Sequence, residues 1–360
     1  MVLFLHNRYR VTGGEERVVE DLARLVRDEM GEPVHTLERD SAAVGQARAA
    51  AGLLRGGLDP AEVTRAVRES GARVVHAHNL LPAFGWRALA AARAAGARVV
   101  LHLHQYRLVC AVGVCFTDGQ ECTRCHGRNT MPGILRNCRA GLPEAMLYGA
   151  SLALWQRRMV EAADAVVIPS AFAGARLRAL GAPLPWERVS VLAPPIRPAG
   201  APSAAPGTYA LVVSRLAPEK GVDVAVDACR LAGMALVVAG EGPELDALRE
   251  RAGDGDVRFI GRASDADLAG LRAGAAIALA PSRSAETFGI AVAEAMAAGL
   301  PVAASNVGAL PELVERDWLV PAGDPRAMAQ VITRLAGDRQ AGERGARRVQ
   351  ALCSDRKSVV

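Results

Sequence analysis

The chain has 360 residues, of which 51% are hydrophobic, so it exceeds the size at which a single core stops growing and two domains are expected. Its net charge of +5 comes mainly from arginines spread along the chain rather than clustered with aromatic residues, which argues against a nucleic-acid binder. A solvated basic surface, or a mild preference for anionic ligands or an anionic membrane surface, accounts for this charge.

The longest apolar run, residues 145–155, is too short to cross a bilayer. The chain opens on the strand-like sequence VLFLH and shows neither the basic region nor the cleavage site of a signal peptide. We therefore expect a soluble protein of the cytoplasm, with the inner face of the membrane as the alternative location.

A glycine pair, Gly13-Gly14, separates the first predicted strand from a helix that opens at Glu15. Paired glycines let a phosphate approach the backbone, and a helix N-terminus offers free N–H groups and a positive dipole. A plain strand–helix turn is the alternative. The dinucleotide-binding and P-loop glycine patterns are absent from the sequence.

Two histidine pairs follow on apolar strands, and the members of each pair lie on one face of their strand. These residues are His76, His78, His102 and His104. Converging strand ends allow a metal site, but hydrogen bonding or substrate contact is the more common role of a histidine at a strand end. Hydrolytic zinc motifs such as H-E-x-x-H are absent.

A cysteine-rich loop, residues 107–140, holds five of the seven cysteines. Such a loop lacks a core of its own, so a structural zinc ion would order it, and thiols that simply pack the loop are the alternative. The predicted zinc ligands are Cys110, Cys122, Cys125 and Cys138. Cys115 reads as an ordinary small apolar residue.

The helical segment at residues 147–164 carries Trp155 beside Arg157 and Arg158. Such a helix can lie on a membrane surface, or it can pack in the core with a solvated basic turn.

A linker rich in proline and alanine, residues 194–206, interrupts the alternation of strands and helices, which then resumes. This pattern predicts two doubly wound α/β domains of parallel strands, which face one another across a cleft. We expect domains at 1–193 and 207–345. Residues 346–360 read as a truncated or frayed tail.

The second alternation places Arg215 and Lys220 directly after its first strand, where two cations suit a diphosphate. Two D-x-D sequences, at 254–256 and 265–267, have the spacing of a carboxylate pair that can hold a metal ion. Solvation or helix capping explains both of them, so we expect no catalytic metal.

Two glutamates stand in the apolar segment AETFGIAVAEAMAAGLPVAAS. Glu286 lies in the loop before a predicted helix at 288–298, and Glu294 lies within that helix. A helix-start carboxylate favoured by the dipole accounts for Glu286, and an arginine partner would account for Glu294. The alternative is that both acids contact a ligand.

This segment resembles the E-x7-E motif of retaining glycosyltransferases of family 4, which have the GT-B fold. The fragments TGGEERVVEDLARLV, VVHAHN, VLHLHQYRLVC, VSRLAPEKGVD and NVGALPELVERDWLVPAGD also fall in the order and spacing of that family. The likeness covers most of the chain and implies transfer of a hexosyl group from a nucleoside-diphosphate sugar, linked to UDP or GDP, with retention of configuration.

The resemblance implies that Glu286 contacts the hydroxyls of the donor hexose. The backbone amides of Phe288, Gly289 and Ile290 would assist it, and Glu294 would hold the ribose hydroxyls of the nucleotide.

Arg215 and Lys220 would bind the diphosphate and stabilise it as it leaves, so no metal is required. Gly14 would contact the β-phosphate, with Gly13 completing the turn.

Gly261 and Arg262 would lie near the base, and His104 would approach the sugar from the N-terminal, acceptor-side domain. The acceptor would be a glycan, a lipid-linked molecule or a small molecule. A sugar-nucleotide epimerase of the same architecture and a catalytically weak partner module are the alternatives.

Overall fold

The computed structural model describes residues 1–9, 13–139, 141–197 and 207–353, which form two compact units. The first unit comprises 1–117 and 122–195, and the second comprises 118–121 and the described residues from 196 onward. Much of the predicted linker, 198–206, lies outside the described residues.

The first unit is built on a six-stranded parallel sheet with the order β2-β1-β3-β4-β7-β8. The strands of this part of the chain, including a short hairpin of β5 and β6, are β1 (Val2–Arg8), β2 (Val34–Asp40), β3 (Val74–Ala77), β4 (Arg98–His102), β5 (Phe116–Thr117), β6 (Gln120–Glu121), β7 (Ala165–Ile168) and β8 (Val189–Val191). Its α-helices are α1 (Gly14–Asp28), α2 (Gln46–Arg55), α3 (Pro60–Ser70), α4 (Gly85–Ala94), α5 (Met131–Leu135), α6 (Leu142–Glu161) and α7 (Ala171–Ala179).

The second unit has another six-stranded parallel sheet, with the order β11-β10-β9-β12-β13-β14. Its strands are β9 (Tyr209–Val213), β10 (Ala235–Ala239), β11 (Val257–Gly261), β12 (Ala275–Ala280), β13 (Val302–Ser305) and β14 (Leu319–Val320). Its α-helices are α8 (Val222–Ala232), α9 (Leu245–Ala252), α10 (Asp265–Gly274), α11 (Ile290–Ala297), α12 (Leu310–Leu313), α13 (Pro325–Leu335) and α14 (Arg339–Cys353).

The central strands are buried on both faces, as a parallel sheet with helices on each side requires. In β1, Leu3, Phe4 and Leu5 are all fully buried although consecutive side chains point to opposite faces. This arrangement confirms the prediction of two doubly wound α/β domains.

Each sheet has one point at which the strand order reverses, and ligands of open α/β sheets bind in the crevice at that point. In the first unit the reversal lies between β1 and β3, and in the second it lies between β9 and β12. The glycine pair follows β1, Arg215 and Lys220 follow β9, and Glu286 follows β12. The topology therefore places these predicted site residues at switch points.

The structure differs from the sequence analysis at three places, of which the first is an omission and the other two are corrected predictions. Strand β2 was not predicted, because its sequence VHTLERD is charged and lies at the edge of the sheet, largely exposed. Helix α11 begins at Ile290 rather than at Phe288, because Gly289 has a left-handed conformation (φ 102°). Residues 346–353, predicted to be part of a frayed tail, continue α14, whose Gly345 and Val349 are buried.

Within the part of the chain that the structure describes, no helix combines the length and the apolar character needed to cross a membrane.

Candidate active site

The centre of the second-unit site is an ion pair between Lys220 and Glu286. The Lys220 Nζ atom lies 2.6 Å from Glu286 Oε1, and the Ser282 hydroxyl donates to the same oxygen at 2.7 Å. Lys220 ends the turn after β9, and Ser282 and Glu286 belong to the loop after β12. Two neighbouring strands thus deliver a cation and an acid to one point.

The charge state of Glu286 follows from these contacts. Burial alone raises the pKa of Glu286, but the Lys220 ammonium, the Ser282 hydrogen bond and the charge of Arg215 outweigh burial and hold that pKa below its usual range. Arg215 is half exposed and forms an ion pair with Glu219, four residues along the chain. The site therefore presents an ionised carboxylate beside two cations at neutral pH.

The loop that carries Glu286 is fixed to the start of α8. Arg283 forms a bidentate ion pair with Asp223, at 2.7 and 2.6 Å, and its backbone N–H donates to the Glu219 carbonyl at 2.8 Å. Bidentate arginine–carboxylate pairs fix orientation as well as contributing energy. This pair holds the Ser282–Glu286 loop against the Pro218–Lys220 turn.

The N-terminus of α11 lies directly after the same loop. The first helical hydrogen bond runs from the Ala293 N–H to the Gly289 carbonyl, so the amides of Gly289 and Ile290 lie outside the ladder. On the other side of the loop, the Ala309 N–H donates to the Glu286 carbonyl at 2.9 Å. A Cβ at Gly308 would lie 2.3 Å from the Glu286 nitrogen, so only glycine fits there.

Glu294 has an arginine partner, as one of the two interpretations of this residue expected. The Arg272 guanidinium, from α10, forms an ion pair with its carboxylate, and both side chains are nearly inaccessible to solvent. This pair accounts for an acid inside an apolar helix. The ribose contact of Glu294 stays a prediction.

Gly261 lies at the end of β11 with a left-handed conformation (φ 69°), and its carbonyl accepts from the Gly240 N–H at 2.8 Å. The Leu216 N–H in turn donates to the Glu241 carbonyl at 2.8 Å. The loops after β9, β10 and β11 are therefore bonded side by side, with Arg262 exposed next to them.

The D-x-D sequence at 265–267 serves as a helix cap. The Ser264 hydroxyl accepts from the Asp267 N–H, and the Asp267 carboxylate accepts from the Ser264 N–H at 3.0 Å. This reciprocal pair is a capping box, as the capping interpretation expected.

In the first unit, the carboxylate of Glu16 occupies the connection between β1 and α1. It accepts from the Gly13 N–H at 2.7 Å and from the Tyr9 N–H at 3.0 Å. Burial raises the pKa of Glu16, but the interaction with the His6 side chain and the two backbone bonds outweigh burial and hold that pKa below its usual range. The Gly13 amide is therefore already bonded to Glu16 and is not available to a phosphate at this turn. Gly14 is the first residue of α1.

A cleft of about 470 Å³ opens at the switch point of the first unit. The Tyr9 hydroxyl donates to Glu15 Oε2 at 2.7 Å, and the Gln105 amide donates to the same oxygen at 3.1 Å. Burial raises the pKa of Glu15. The cleft is also lined by Leu81, Leu108 and other apolar side chains.

His104, predicted to contact the sugar, is partly exposed in this cleft and stacks on the buried imidazoles of His78 and His102. Burial lowers the pKa of His104 and of His76 to about 3, and it also lowers the pKa of His78 and His102. His104 is therefore uncharged at neutral pH. It can exchange a hydrogen bond with a hydroxyl but cannot supply a positive charge.

The cysteine-rich loop gathers five thiols around one cleft of about 400 Å³: Cys110, Cys115, Cys122, Cys125 and Cys138. Cys115 was not predicted to take part. The thiols of Cys110 and Cys115 share a hydrogen bond. This bond lowers the pKa of Cys110 to about 6 and raises the pKa of Cys115. Among the described residues, no three cysteine sulfurs lie within 4.8 Å of one another. The thiol chemistry suits zinc but the spacing is wider than a tetrahedral site requires, so zinc stays a prediction.

Several residues of these sites were missed from the sequence. Ser282 stands four residues before Glu286 and Glu219 four residues after Arg215, so local spacing offered a signal for both. The bonds of Asp223 to Arg283 and of Arg272 to Glu294 join distant segments, and no sequence pattern marks them.

Family models match most of the chain. The family model described as "Glycosyl transferase 4-like domain" matches residues 12–195. The family model described as "Glycosyl transferases group 1" matches residues 207–338. The chain belongs to this glycosyltransferase family.

Among curated relatives, a GDP-mannose-dependent alpha-(1-6)-phosphatidylinositol dimannoside mannosyltransferase of Mycobacterium tuberculosis is 41% identical over 109 residues, which is 29% of this chain and 28% of the relative. The chain spans about a third of the length of the curated relatives it matches.

Two solved structures show the same fold over nearly the whole chain. Sucrose-phosphate synthase from Thermosynechococcus elongatus has a TM-score of 0.69 at 19% identity and covers 98% of this chain and 94% of that one. HepE from Anabaena, in complex with UDP and glucose, has a TM-score of 0.64 at 22% identity, with 99% and 95% covered. These two structures confirm the GT-B fold that the sequence predicted.

Proposed function

We propose that the protein is a retaining glycosyltransferase that moves a hexosyl group from a UDP- or GDP-linked sugar to a glycan, lipid-linked or small-molecule acceptor. The observation that carries the proposal is the contact of Lys220 with Glu286, next to Arg215, at the switch point of the second unit. In a chain of this family, that crevice is where a nucleotide is expected.

The chemistry follows from the charges. Breaking the bond between the sugar and the diphosphate leaves negative charge on the phosphate and positive charge on the sugar ring. Lys220 and Arg215 stabilise the leaving diphosphate, and Glu286 accepts hydrogen bonds from the hexose hydroxyls. Two fixed cations supply the charge that a metal would otherwise supply, so we propose catalysis without a metal.

Lysine at position 220 suits this dual role. The chain has 43 basic residues, of which only two are lysines. An ammonium group is a compact point charge with three donors, so it can bond to Glu286 and to a phosphate oxygen at once.

Donors linked to GDP and to UDP are both supported by relatives. The mycobacterial relative is named as GDP-mannose-dependent, and the HepE structure holds UDP. Since the named relative has the higher sequence identity, GDP-mannose is the first donor to test.

The cleft of the first unit is our candidate acceptor site. It offers hydrogen-bonding groups on Tyr9, Glu15 and Gln105 beside an apolar wall. Such a lining suits a molecule that presents hydroxyls at one end and apolar surface at the other, as a lipid-linked sugar does.

A peripheral membrane contact has support from α5 and α6, though not from Trp155. Trp155 donates to the Leu53 carbonyl at 3.0 Å and packs near Trp86, so it is structural. Exposed apolar side chains lie instead at Met131, Leu135, Leu142 and Met146. Flotation with anionic vesicles tests this contact. The double change Leu142→Ser with Met146→Ser should weaken vesicle binding. Leu231→Ser, the same change at an exposed position of α8, should leave vesicle binding unchanged.

The decisive experiment combines donor binding with transfer. We expect one nucleotide sugar from a panel of UDP- and GDP-linked donors to raise the unfolding temperature and to be consumed when acceptor is present. Glu286→Gln should lower transfer at least a hundredfold, whereas Glu250→Gln, the same change at an exposed position of α9, should not. Absence of binding by every donor would overturn the proposal, and conversion of a donor without acceptor would indicate an epimerase.

A further inference from the structure

We propose that His76, His78 and His102 form a binding site for a divalent transition metal ion in the first unit. One ring nitrogen of each residue lies within 4.8 Å of the others, and all three side chains are buried. The established family membership and the proposed transfer reaction require no such site.

The site follows from strand register. Phe4 of β1 pairs with His76 of β3, and His102 ends the neighbouring strand β4. Since side chains alternate, His76 and His78 point to the same side of the sheet, as do His102 and His104. The register thus stacks imidazoles from two adjacent strands, with ring centroids 4.6 to 5.4 Å apart among the three proposed ligands.

The spacing of the ring nitrogens fits a shared ion. His76 Nε2 and His102 Nδ1 lie 3.3 Å apart. Two nitrogens that each bind zinc at about 2.0–2.1 Å in tetrahedral geometry are separated by about 3.3–3.4 Å. An ion bound to both nitrogens would therefore keep their present separation.

A ring nitrogen without a protein partner points to the same ligand. His78 Nε2 is inaccessible and has no hydrogen-bond partner. Buried polar groups are nearly always paired, and phenylalanine would fill the same space without that cost. Uncharged imidazoles with unpaired nitrogens are the form in which histidine binds metals.

A neighbouring histidine orients one of the ligands. His78 Nδ1 lies 2.8 Å from His104 Nε2. If the His78 Nδ1–H donates to His104, the lone pair of His78 Nε2 is left for the metal, which is how outer residues fix the tautomer of metal-bound histidine. An all-imidazole set suits Zn²⁺, Cu²⁺, Co²⁺ or Ni²⁺ rather than Mg²⁺ or Ca²⁺, which take oxygen ligands.

The test titrates the chelator-treated full chain with Co²⁺ and measures bound metal and absorption. We expect one equivalent to bind with the visible spectrum of a nitrogen-ligated ion. Binding by the cysteines would instead produce the intense near-ultraviolet band of thiolate-bound cobalt. His102→Phe should lose the nitrogen-ligated equivalent, and His35→Phe, which removes an exposed histidine of β2, should keep it.

A measurement on the unchanged chain covers the case in which His102→Phe does not fold. With histidine labelled by ¹⁵N, substoichiometric Ni²⁺ should broaden the ring signals of the three core histidines before those of His35 and His126. Full metal binding by a folded His102→Phe, or broadening confined to His35 and His126, would overturn the proposal. A chain that takes up no nitrogen-ligated metal would overturn it equally, since buried water would then satisfy the rings.

Discussion

Lys220 is the residue whose chemistry is most tightly defined by its contacts, since its ammonium bonds directly to Glu286. We predict that Lys220→Arg lowers kcat/KM by about 10²–10³ although the charge is kept, because a planar guanidinium cannot occupy the position of an ammonium group. Initial rates with the identified donor measure this effect.

Arg249→Lys is the matched control for that change, since Arg249 lies exposed on α9 and pairs only loosely with Asp246, at 3.7 Å. It should leave the rate unchanged. Full activity of Lys220→Arg would show that positive charge alone is needed at position 220, and the geometric part of the proposal would be wrong.

The pH dependence of stability provides a second prediction for Glu286. Because the folded-state pKa of Glu286 is held below its usual value, ionised Glu286 contributes stability above about pH 4.5 that is lost as the pH falls through the folded pKa. The difference in unfolding free energy between the wild type and Glu286→Gln should therefore shrink between about pH 6 and pH 3. Urea unfolding at a series of pH values measures it, and a difference that stays constant with pH would contradict the assignment.

Among the elements, the loop before α11 depends on a glycine from another segment. Gly308 has a left-handed conformation (φ 60°), and a Cβ there would lie 2.3 Å from the Glu286 nitrogen and 2.4 Å from its carbonyl oxygen. We predict that Gly308→Ala displaces the backbone of Glu286 and lowers transfer at least tenfold, in addition to its cost in stability.

Gly323→Ala separates the strain of the backbone from the displacement of the loop. Gly323 is also left-handed (φ 78°), but a Cβ there would meet nothing within 4 Å. It should cost about 1–2 kcal/mol of unfolding free energy and leave the rate unchanged. Equal losses of activity in the two variants would show that Gly308 does not position Glu286.

The sequence was sufficient to predict which strand ends carry chemistry, because apolar runs mark parallel strands and their polar successors mark the carboxyl ends. It placed Arg215, Lys220 and Glu286 correctly after β9 and β12. It did not predict that Arg272 pairs with Glu294, because that contact depends on how α10 packs against α11. Edge strand β2 was missed because exposure removes the apolar signal.

At the scale of the whole molecule, the residues predicted to serve one reaction are divided between two units. Gly13, Gly14 and His104 belong to the first unit, and Arg215 and Glu286 belong to the second. Each group follows a strand at the switch point of its own sheet or lies in the cleft there. The proposed reaction therefore predicts that a bound donor affects residues of both units.

We predict that a bound nucleoside diphosphate slows amide hydrogen exchange in both units. In the second unit the effect should fall on residues 289–292, whose amides open α11, and in the first unit on residues 14–16, which open α1. Helix α13 (Pro325–Leu335) serves as the internal control, since no predicted contact lies on it. Exchange followed by mass spectrometry, with and without GDP or UDP, measures the effect. Protection of α11 alone would reject the phosphate contact of Gly14, because the Glu16 carboxylate would then keep its bonds to that turn. The proposed site of the second unit would be unaffected by that result.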